Sequence, residues 1–280
     1  MARSSKSAFT LAADSPHVID LANGRHGDPF AVLGRHAVDD GEVIRCFAPR
    51  TLNLWIDEES RPMERLPGTD LFEYRAAAGE VPVHYRVIRE TDYGVSFTRH
   101  DPYAFWPQLD PGEMAAFNYG EHRYAWRLLG ARRHEVDDIG GTLFSVWAPN
   151  ARRVSVIGDF NDWDGRFHPM RRHVDKGIWE LFVPDVLEGN YRFEIVNAQS
   201  GELLVKSDPF GRASEYRPDT ASVITPPSQH QWQDAEWERR KAEGGWHARP
   251  MSVYEVHAGS WLRNEDGSFM GYRPMAEELC

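Results

Sequence analysis

Cysteine is scarce in this sequence, and a long apolar run is missing from it. Of the 280 residues only Cys46 and Cys280 are cysteines, and they are far apart, with no metal-ligand spacing. This usage favours a reduced, cytoplasmic chain. No apolar run approaches the ~20 residues that a membrane span needs, and the N-terminus lacks the apolar stretch of a signal peptide. We therefore expect no membrane partner.

Clustered positive charge is also missing. The sequence has 32 Lys and Arg against 43 Asp and Glu, and its basic residues are scattered singly or in pairs. A protein that follows a phosphate backbone needs a basic patch or stripe, so a nucleic-acid partner is disfavoured. What the sequence does contain is aromatic residues, including 10 Trp. Such rings either fill apolar cores or stack on the faces of sugar rings, and composition leaves both interpretations open.

The N-terminal residues predict a tail and then a short capped helix. Residues 1–13 are rich in Ser and Ala, and we expect them to be disordered. In the stretch DSPHVIDLANG that follows, Ser15 is placed to cap a helix, Pro16 to occupy its first position and Gly24 to end it.

Two strand-rich stretches carry the same landmarks in the same order, which indicates an internal repeat. The landmarks are Phe47-Ala48-Pro49 and Trp147-Ala148-Pro149, Tyr85-Arg86 and Tyr191-Arg192, and Asp101-Pro102-Tyr103 and Asp208-Pro209-Phe210. Both stretches alternate short apolar runs with turn residues, the pattern of a small β-sandwich. We therefore predict a mainly β chain with two tandem immunoglobulin-like β-sandwich modules, each a copy of one unit of roughly a hundred residues.

These patterns divide the chain into segments. Near the C-terminus, the apolar run SVYEVHA has the composition of a strand buried in a parallel sheet, and PMAEEL looks like the first turn of a helix. The predicted segments are a disordered tail (1–13), a first β-sandwich module (14–108), a helical connector (109–135), a second β-sandwich module (136–228), a helical linker (229–250) and a βα unit (251–280).

Three stretches resemble the bacterial 1,4-α-glucan branching enzymes of the α-amylase superfamily. DPFAVLGRH resembles the opening of their first module, WAPNARRVSVIGDFNDWDGRFHPM resembles their glycogen-binding-type module, and SVYEVHAGSW resembles their first barrel strand. The resemblance implies that residues 251–280 begin a truncated (β/α)8 barrel. It also implies cytoplasmic glycogen synthesis, in which an Asp nucleophile and a Glu acid/base cleave an α-1,4-glucan with retention and transfer it to a 6-hydroxyl.

The chain itself shows no catalytic constellation. The family's catalytic carboxylates lie on later barrel strands, and a whole barrel needs ~250 residues. Asp159, Asp162 and Asp164 cluster in a single turn, which cannot enclose a sugar between carboxylates roughly 5 Å apart. We expect these three side chains to bind amides of their own turn. We therefore predict no catalytic residue, no metal ion and no cofactor, and we expect this chain alone to be inactive.

Two residues are candidates for glucan binding, and both follow from resemblance. In the related glycogen-binding module of the AMP-activated kinase, a tryptophan at the position of Trp163 stacks on sugar, and a lysine contributes at the position of Arg192. The second tryptophan of that module has no counterpart in the hairpin NAQSGELLVKSDP. We therefore expect Trp163 to pack against the next domain and glycogen to bind weakly, with stacking of Trp163 on glucan as the alternative.

Two functional classes remain open. The first is the N-terminal part of a branching enzyme, favoured by SVYEVHAGSW because a pure binding module has no use for a buried parallel strand. The second is a free-standing, non-catalytic glucan-binding protein, favoured by the lack of catalytic carboxylates. In either class the expected partner is an α-glucan such as glycogen, and we expect a monomer.

Overall fold

The computed structural model describes residues 10–56 and 61–279, which divide into two compact units, one ending at Pro227 and the other beginning at Ser228. Most of the predicted tail lies outside the described residues. Thr10, near its end, donates to the Glu73 carboxylate from its amide nitrogen at 2.9 Å and from its hydroxyl at 2.5 Å. Thr10, predicted to belong to the disordered tail, is thus bonded to the first module.

The described elements are mainly strands. The helices are α1 (Pro16–Ala22), α2 (Pro111–Asn118), α3 (Ala125–Leu128), α4 (Ala235–Ala242) and α5 (Tyr272–Leu279). The strands are β1 (Gly34–Val38), β2 (Gly41–Phe47), β3 (Thr51–Ile56), β4 (Arg61–Pro62), β5 (Glu64–Arg65), β6 (Leu71–Ala76), β7 (Arg86–Thr91), β8 (Ser96–His100), β9 (Gly130–Val136), β10 (Ile139–Trp147), β11 (Ala151–Gly158), β12 (Arg171–His173), β13 (Ile178–Pro184), β14 (Asn190–Asn197), β15 (Leu203–Lys206) and β16 (Ser222–Val223). None of the helices among these residues is long and apolar enough to span a membrane.

The two strand-rich stretches have the same strand order, except that β4 and β16 have no counterparts in the other stretch. The first stretch forms the sheets β1-β2-β6-β5 and β4-β3-β7-β8, and the second forms β9-β10-β13-β12 and β11-β14-β15, with β16 also paired to β14. Even an irregularity is repeated, because the register of β3 shifts between Thr51 and Asn53 and that of β11 shifts between Ala151 and Arg153. This agreement confirms the internal repeat that the landmarks predict.

The tyrosine and aspartate landmarks recur because each copy buries the same polar pair. The Tyr85 hydroxyl donates to the Asp101 carboxylate, and the Tyr191 hydroxyl donates to the Asp208 carboxylate at 2.7 Å. Each carboxylate also accepts the backbone amide two positions on, at 3.0 Å in the first copy and 2.7 Å in the second. Burial raises the pKa of both aspartates, and these hydrogen bonds oppose the rise. An Asx turn therefore ends each copy and holds a buried tyrosine.

Apolar side chains fill the space between the two sheets of each module, as in a β-sandwich. One buried cluster lies within the first module and joins its two sheets through Ile44, Leu54, Phe72 and Ala76. A second cluster fills the second module, and it continues into the first module. Its members include Val18, Leu21, Val32, Leu33, Phe47 and Tyr103 of the first module and Phe144, Val154, Val156, Trp179, Leu181 and Phe193 of the second. The predicted sandwich architecture is confirmed, and the two modules share one continuous core.

The helical connector is shorter than predicted. α2 begins at Pro111 with Asp110 as its cap, which accepts the amide of Glu113 at 2.8 Å. The residues from Gly130 to Glu135, placed in the connector by the sequence, instead form β9 together with Val136 and pair with β10. Their sequence GARRHEV has no apolar alternation, so no periodicity indicates a strand. These residues form a strand because their backbone pairs antiparallel with β10.

Residues 228–279, the described part of the second unit, contain no barrel strand. The described residues of SVYEVHA are not in a strand, and Val253 and Tyr254 are 85% and 69% exposed. A parallel strand is stable when neighbours cover its faces and pair with its edges, and no such strand lies among the described residues of this unit. The helix predicted after it is present as α5. The strand of the predicted βα unit is therefore absent, and its helix is formed.

Candidate functional site

The loop after β11 presents Trp163 through an unusual backbone conformation. Asp162 and Trp163 are consecutive residues in the left-handed region, with φ of 56° and 59°. A residue other than glycine costs roughly 1–2 kcal/mol in this conformation. Such strain persists only where the surroundings hold it, and it concentrates at functional sites.

Hydrogen bonds from two side chains hold this loop. The Asn161 Oδ1 accepts the Gly158 amide at 2.9 Å, at the end of β11. Asp159 Oδ1 accepts the indole Nε1–H of Trp163 at 3.2 Å, and its Oδ2 accepts the Asn190 amide at 2.7 Å, at the start of β14. Because the indole is bonded at its edge, this bond orients the ring. Trp163 is 38% exposed.

The three aspartates of the loop behave differently from one another. Asp164 accepts the Arg166 amide at 3.0 Å, as the sequence predicts. Asp159 binds the amide of a distant strand, and Asp162 pairs with the Arg50 guanidinium of the first module at 2.9 Å. The predicted local capping is therefore right for Asp164 and wrong for the other two. Their partners come from other parts of the chain, which turn chemistry alone does not reveal.

Trp163 lines an open cleft of about 740 Å³ between the two modules. The first module contributes the end of α1 and Arg50, and the second contributes the Trp163 loop and parts of β14 and β15. Ligand pockets of proteins span roughly 300–1,000 Å³, so the cleft is large enough for a small ligand or a stretch of polymer.

A buried ion pair forms the inner side of the cleft. Arg153 has a side chain that is 2% exposed, and it pairs with Glu194 on the neighbouring strand β14. Its Nη1 also donates to the carbonyl of Gly165 at 2.9 Å, in the loop that carries Trp163. A Cβ at Gly165 would clash with the Glu194 carboxylate, so a side chain there would displace that carboxylate from its present position. The pair thus fastens the Trp163 loop to β14.

Arg192 lies beside the cleft and not in its described lining. It alternates with the buried Tyr191 and Phe193 on β14 and so shares a face with Glu194, as the sequence predicts. Two residues along a strand are ~7 Å apart. The Arg192 Nη2 donates to the Thr220 hydroxyl at 2.9 Å. The structure therefore places the two candidate residues, Trp163 and Arg192, near the same patch of sheet but not in one contiguous cleft.

A second cavity lies between the two modules, and it is small and mostly apolar. It measures about 110 Å³ and is lined mostly by apolar side chains, together with Arg89, Arg99 and His168. Burial, reinforced by the two arginines, lowers the pKa of His168 to about 3, so this imidazole is neutral. Among the described residues, no group of three or more His, Cys, Asp or Glu side chains is placed to hold a metal ion.

Two family models match the chain. Residues 14–103 match the alpha-1,4-glucan branching enzyme GlgB, N-terminal domain, and residues 128–211 match carbohydrate-binding module 48 (isoamylase N-terminal domain). Arg25 and Arg50 lie in the first range. Trp163 and Arg192 lie in the second.

Curated relatives match along nearly the whole chain. The chain is 46% identical over 271 residues to the 1,4-alpha-glucan branching enzyme GlgB of Methylococcus capsulatus, covering 96% of this chain and 37% of that protein. It is 45% identical over 277 residues to the enzyme of the same name from Cellvibrio japonicus, covering 95% and 38%. The chain thus spans a little over a third of the length of these relatives. Pullulanase type I from Bacillus subtilis, solved with maltose, shows a TM-score of only 0.31 and 20% identity over 71% of this chain and 27% of that one.

Proposed function

The chain belongs to the bacterial 1,4-alpha-glucan branching enzymes, whose N-terminal portion it matches, and we propose that it holds an α-glucan for a branching reaction whose catalytic groups it does not supply. That reaction is the cleavage of an α-1,4-linked chain and its transfer to a 6-hydroxyl. Family membership supports cytoplasmic glycogen synthesis as its setting. The match of residues 14–103 to a GlgB domain favours this function over that of a free-standing binding protein.

The carboxylates of the Trp163 loop support a non-catalytic role. A retaining mechanism needs two carboxyl groups roughly 5 Å apart on either side of the sugar. Asp159 is bonded to an indole and an amide, Asp162 to Arg50, and Asp164 to Arg166. Each of these carboxylates is therefore engaged in a hydrogen bond or ion pair within the protein. We propose that the catalytic pair lies in the part of the branching enzyme that this chain does not match.

The observation that carries the proposal is the partly exposed, oriented indole at the edge of an open cleft. Asp159 fixes the ring at its edge, while 38% of Trp163 remains exposed. The ring lies within the range matched by carbohydrate-binding module 48. A flat apolar face bordered by polar groups suits a sugar ring, which has an apolar face and hydroxyls at its rim. We propose that Trp163 stacks on a glucose unit.

Arg192 is the second proposed contact. Its guanidinium is held beside Thr220 on the face of β14 that also carries Glu194. An arginine presents five N–H donors, so the bond to Thr220 leaves donors for sugar hydroxyls. We propose that Arg192 binds a glucan unit next to the one that stacks on Trp163.

Titration calorimetry of the full chain with maltoheptaose tests both contacts. Trp163→Ala should weaken binding about tenfold or more, because a buried aromatic contact supplies a large share of a small interface. Arg192→Ala should weaken it less. Trp232→Ala removes an indole that is 78% exposed and is not part of the described cleft lining, so it serves as the matched control. Equal affinities of parent and Trp163→Ala would instead support the packing role of Trp163.

An amylose assay tests the division of labour. The purified chain should leave the iodine colour of amylose unchanged relative to buffer, because the proposed catalytic carboxylates are not on it. A loss of colour above the control would place the reaction on this chain and overturn the proposal.

A further inference from the structure

The end of α1 lies directly against the second module, at the rim of the cleft. The apolar side of α1 is anchored by Val18 and Leu21, which are 1% and 2% exposed. Gly24 follows the helix with φ of 59°, and its amide donates to the Leu21 carbonyl at 3.0 Å. A Cβ at Gly24 would lie 3.4 Å from Arg153 Nη1, which is ordinary contact distance. The first module is therefore fixed in place against the cleft's inner ion pair.

A second contact ties the first module to the residue beside the indole. Arg50 and Asp162 pair at 2.9 Å, with side chains 43% and 38% exposed. The Tyr93 hydroxyl also donates to the same carboxylate at 3.4 Å. An exposed ion pair contributes little to stability. This pair matters because it places Arg50 of the first module next to Asp162, the residue before Trp163.

Of the four arginines that line the cleft, Arg25 has no side-chain partner among the described residues. Arg50, Arg153 and Arg166 are each paired with a carboxylate. Arg25, immediately after Gly24, is exposed, and its side chain has no hydrogen-bond or ion-pair partner among the described residues. It lines the same cleft as Trp163. Arg25 is thus a donor group in the cleft lining that none of the described residues engages.

We propose that the two modules together form one glucan-binding cleft, in which Arg25 of the first module binds hydroxyls of the same glucan chain that stacks on Trp163 of the second. This inference rests on the proposed function and extends it. The charges of the cleft favour a neutral ligand, because three of its four arginines are already compensated by carboxylates. An indole for a ring face and an arginine fork for hydroxyls suit a carbohydrate.

Because residues of both modules line the cleft, the effect of Arg25 on affinity should depend on the length of the glucan. An oligosaccharide that covers only the indole gains nothing from the first module. A longer chain reaches from Trp163 to the end of α1 and gains the Arg25 contact. The first module therefore adds affinity only for the longer ligand, which a general structural role of Arg25 does not predict.

Calorimetry with maltoheptaose and maltotriose on the full chain tests the inference. Arg25→Ala should weaken maltoheptaose binding about 5- to 10-fold, the loss expected for one or two hydrogen bonds, and leave maltotriose binding unchanged. Arg133→Ala, which removes an exposed arginine on β9 outside the cleft lining, is the matched control. Arg25→Gln keeps hydrogen-bonding groups without the charge and should retain part of the affinity.

The outcomes separate the inference from the proposed function. If Trp163→Ala loses binding while Arg25→Ala binds both ligands like the parent, the glucan site on Trp163 is supported and the proposed contact of Arg25 is refuted. If the parent binds neither oligosaccharide, the proposed function itself fails. If inorganic phosphate binds competitively and Arg25→Gln is as weak as Arg25→Ala, the cleft is an anion site and the proposal is overturned.

Discussion

Replacing Tyr85 by Phe tests the polar pair that the two modules share. The tyrosine is 1% exposed and donates to Asp101, which is 4% exposed and whose other partners are the Tyr103 amide at 3.0 Å and the Cys46 thiol at 3.6 Å. A hydrogen bond to a charged group contributes about 1.5–3 kcal/mol. For a unit of this size a loss of about 2 kcal/mol lowers the melting temperature by about 4–8 °C. Tyr216→Phe, at a position 96% exposed, should leave it unchanged.

The cost of Tyr85→Phe should also depend on pH. Burial raises the pKa of Asp101, so the stability linked to its protonation is complete below the ordinary aspartate pKa and is lost as pH rises through the raised value. The Tyr85 hydrogen bond lowers that pKa, so the variant loses more stability than the parent over this range. Urea unfolding at about pH 4 and about pH 7 should therefore show a larger difference at the higher pH. An equal difference at both values, or none, would refute the reasoning.

Other features of the structure give further predictions. Glu194→Gln leaves the Arg153 charge buried without its partner and should cost about 2–4 kcal/mol in urea unfolding, whereas Glu236→Gln, whose ion pair is about 60% exposed, should cost under 1 kcal/mol. Burial and the neighbouring histidine lower the pKa of His26, so its contribution to stability is present above the ordinary histidine pKa and is lost as pH falls through the lowered value. His26→Gln should flatten that acid-side decline, and an unchanged urea profile would contradict it. Limited proteolysis should cut first within residues 243–271, which are mostly exposed, and a first cut inside either sandwich would be the opposite result.

Local chemistry made much of the fold predictable from the sequence. Ser15 caps α1 by accepting the Val18 amide at 3.3 Å, as its position before Pro16 indicates. The repeated landmarks indicated the duplicated module because they mark its turns and its buried tyrosine, which depend on a few neighbouring residues. The segment SVYEVHA shows the limit of this reasoning, because its composition suits a strand in a parallel sheet, and the described residues form no such sheet around it.

The cleft was less predictable, because its contacts join distant parts of the chain. Trp163 was found through resemblance, whereas Arg25 and Arg50 carry no local signal. Arg50 meets Asp162 across 112 positions, and Arg153 meets Glu194 across 41. Only the strand order places β11 beside β14, and only the shared core places α1 beside the Trp163 loop.

Electrophoresis of the full chain through gels with and without glycogen tests whether this chain holds α-glucan through Trp163. The parent should be retarded by glycogen, and Trp163→Ala should migrate almost as it does without glycogen, because the stacking face is gone. Trp232→Ala should be retarded like the parent. An unretarded parent, or equal retardation of the parent and Trp163→Ala, would contradict the account.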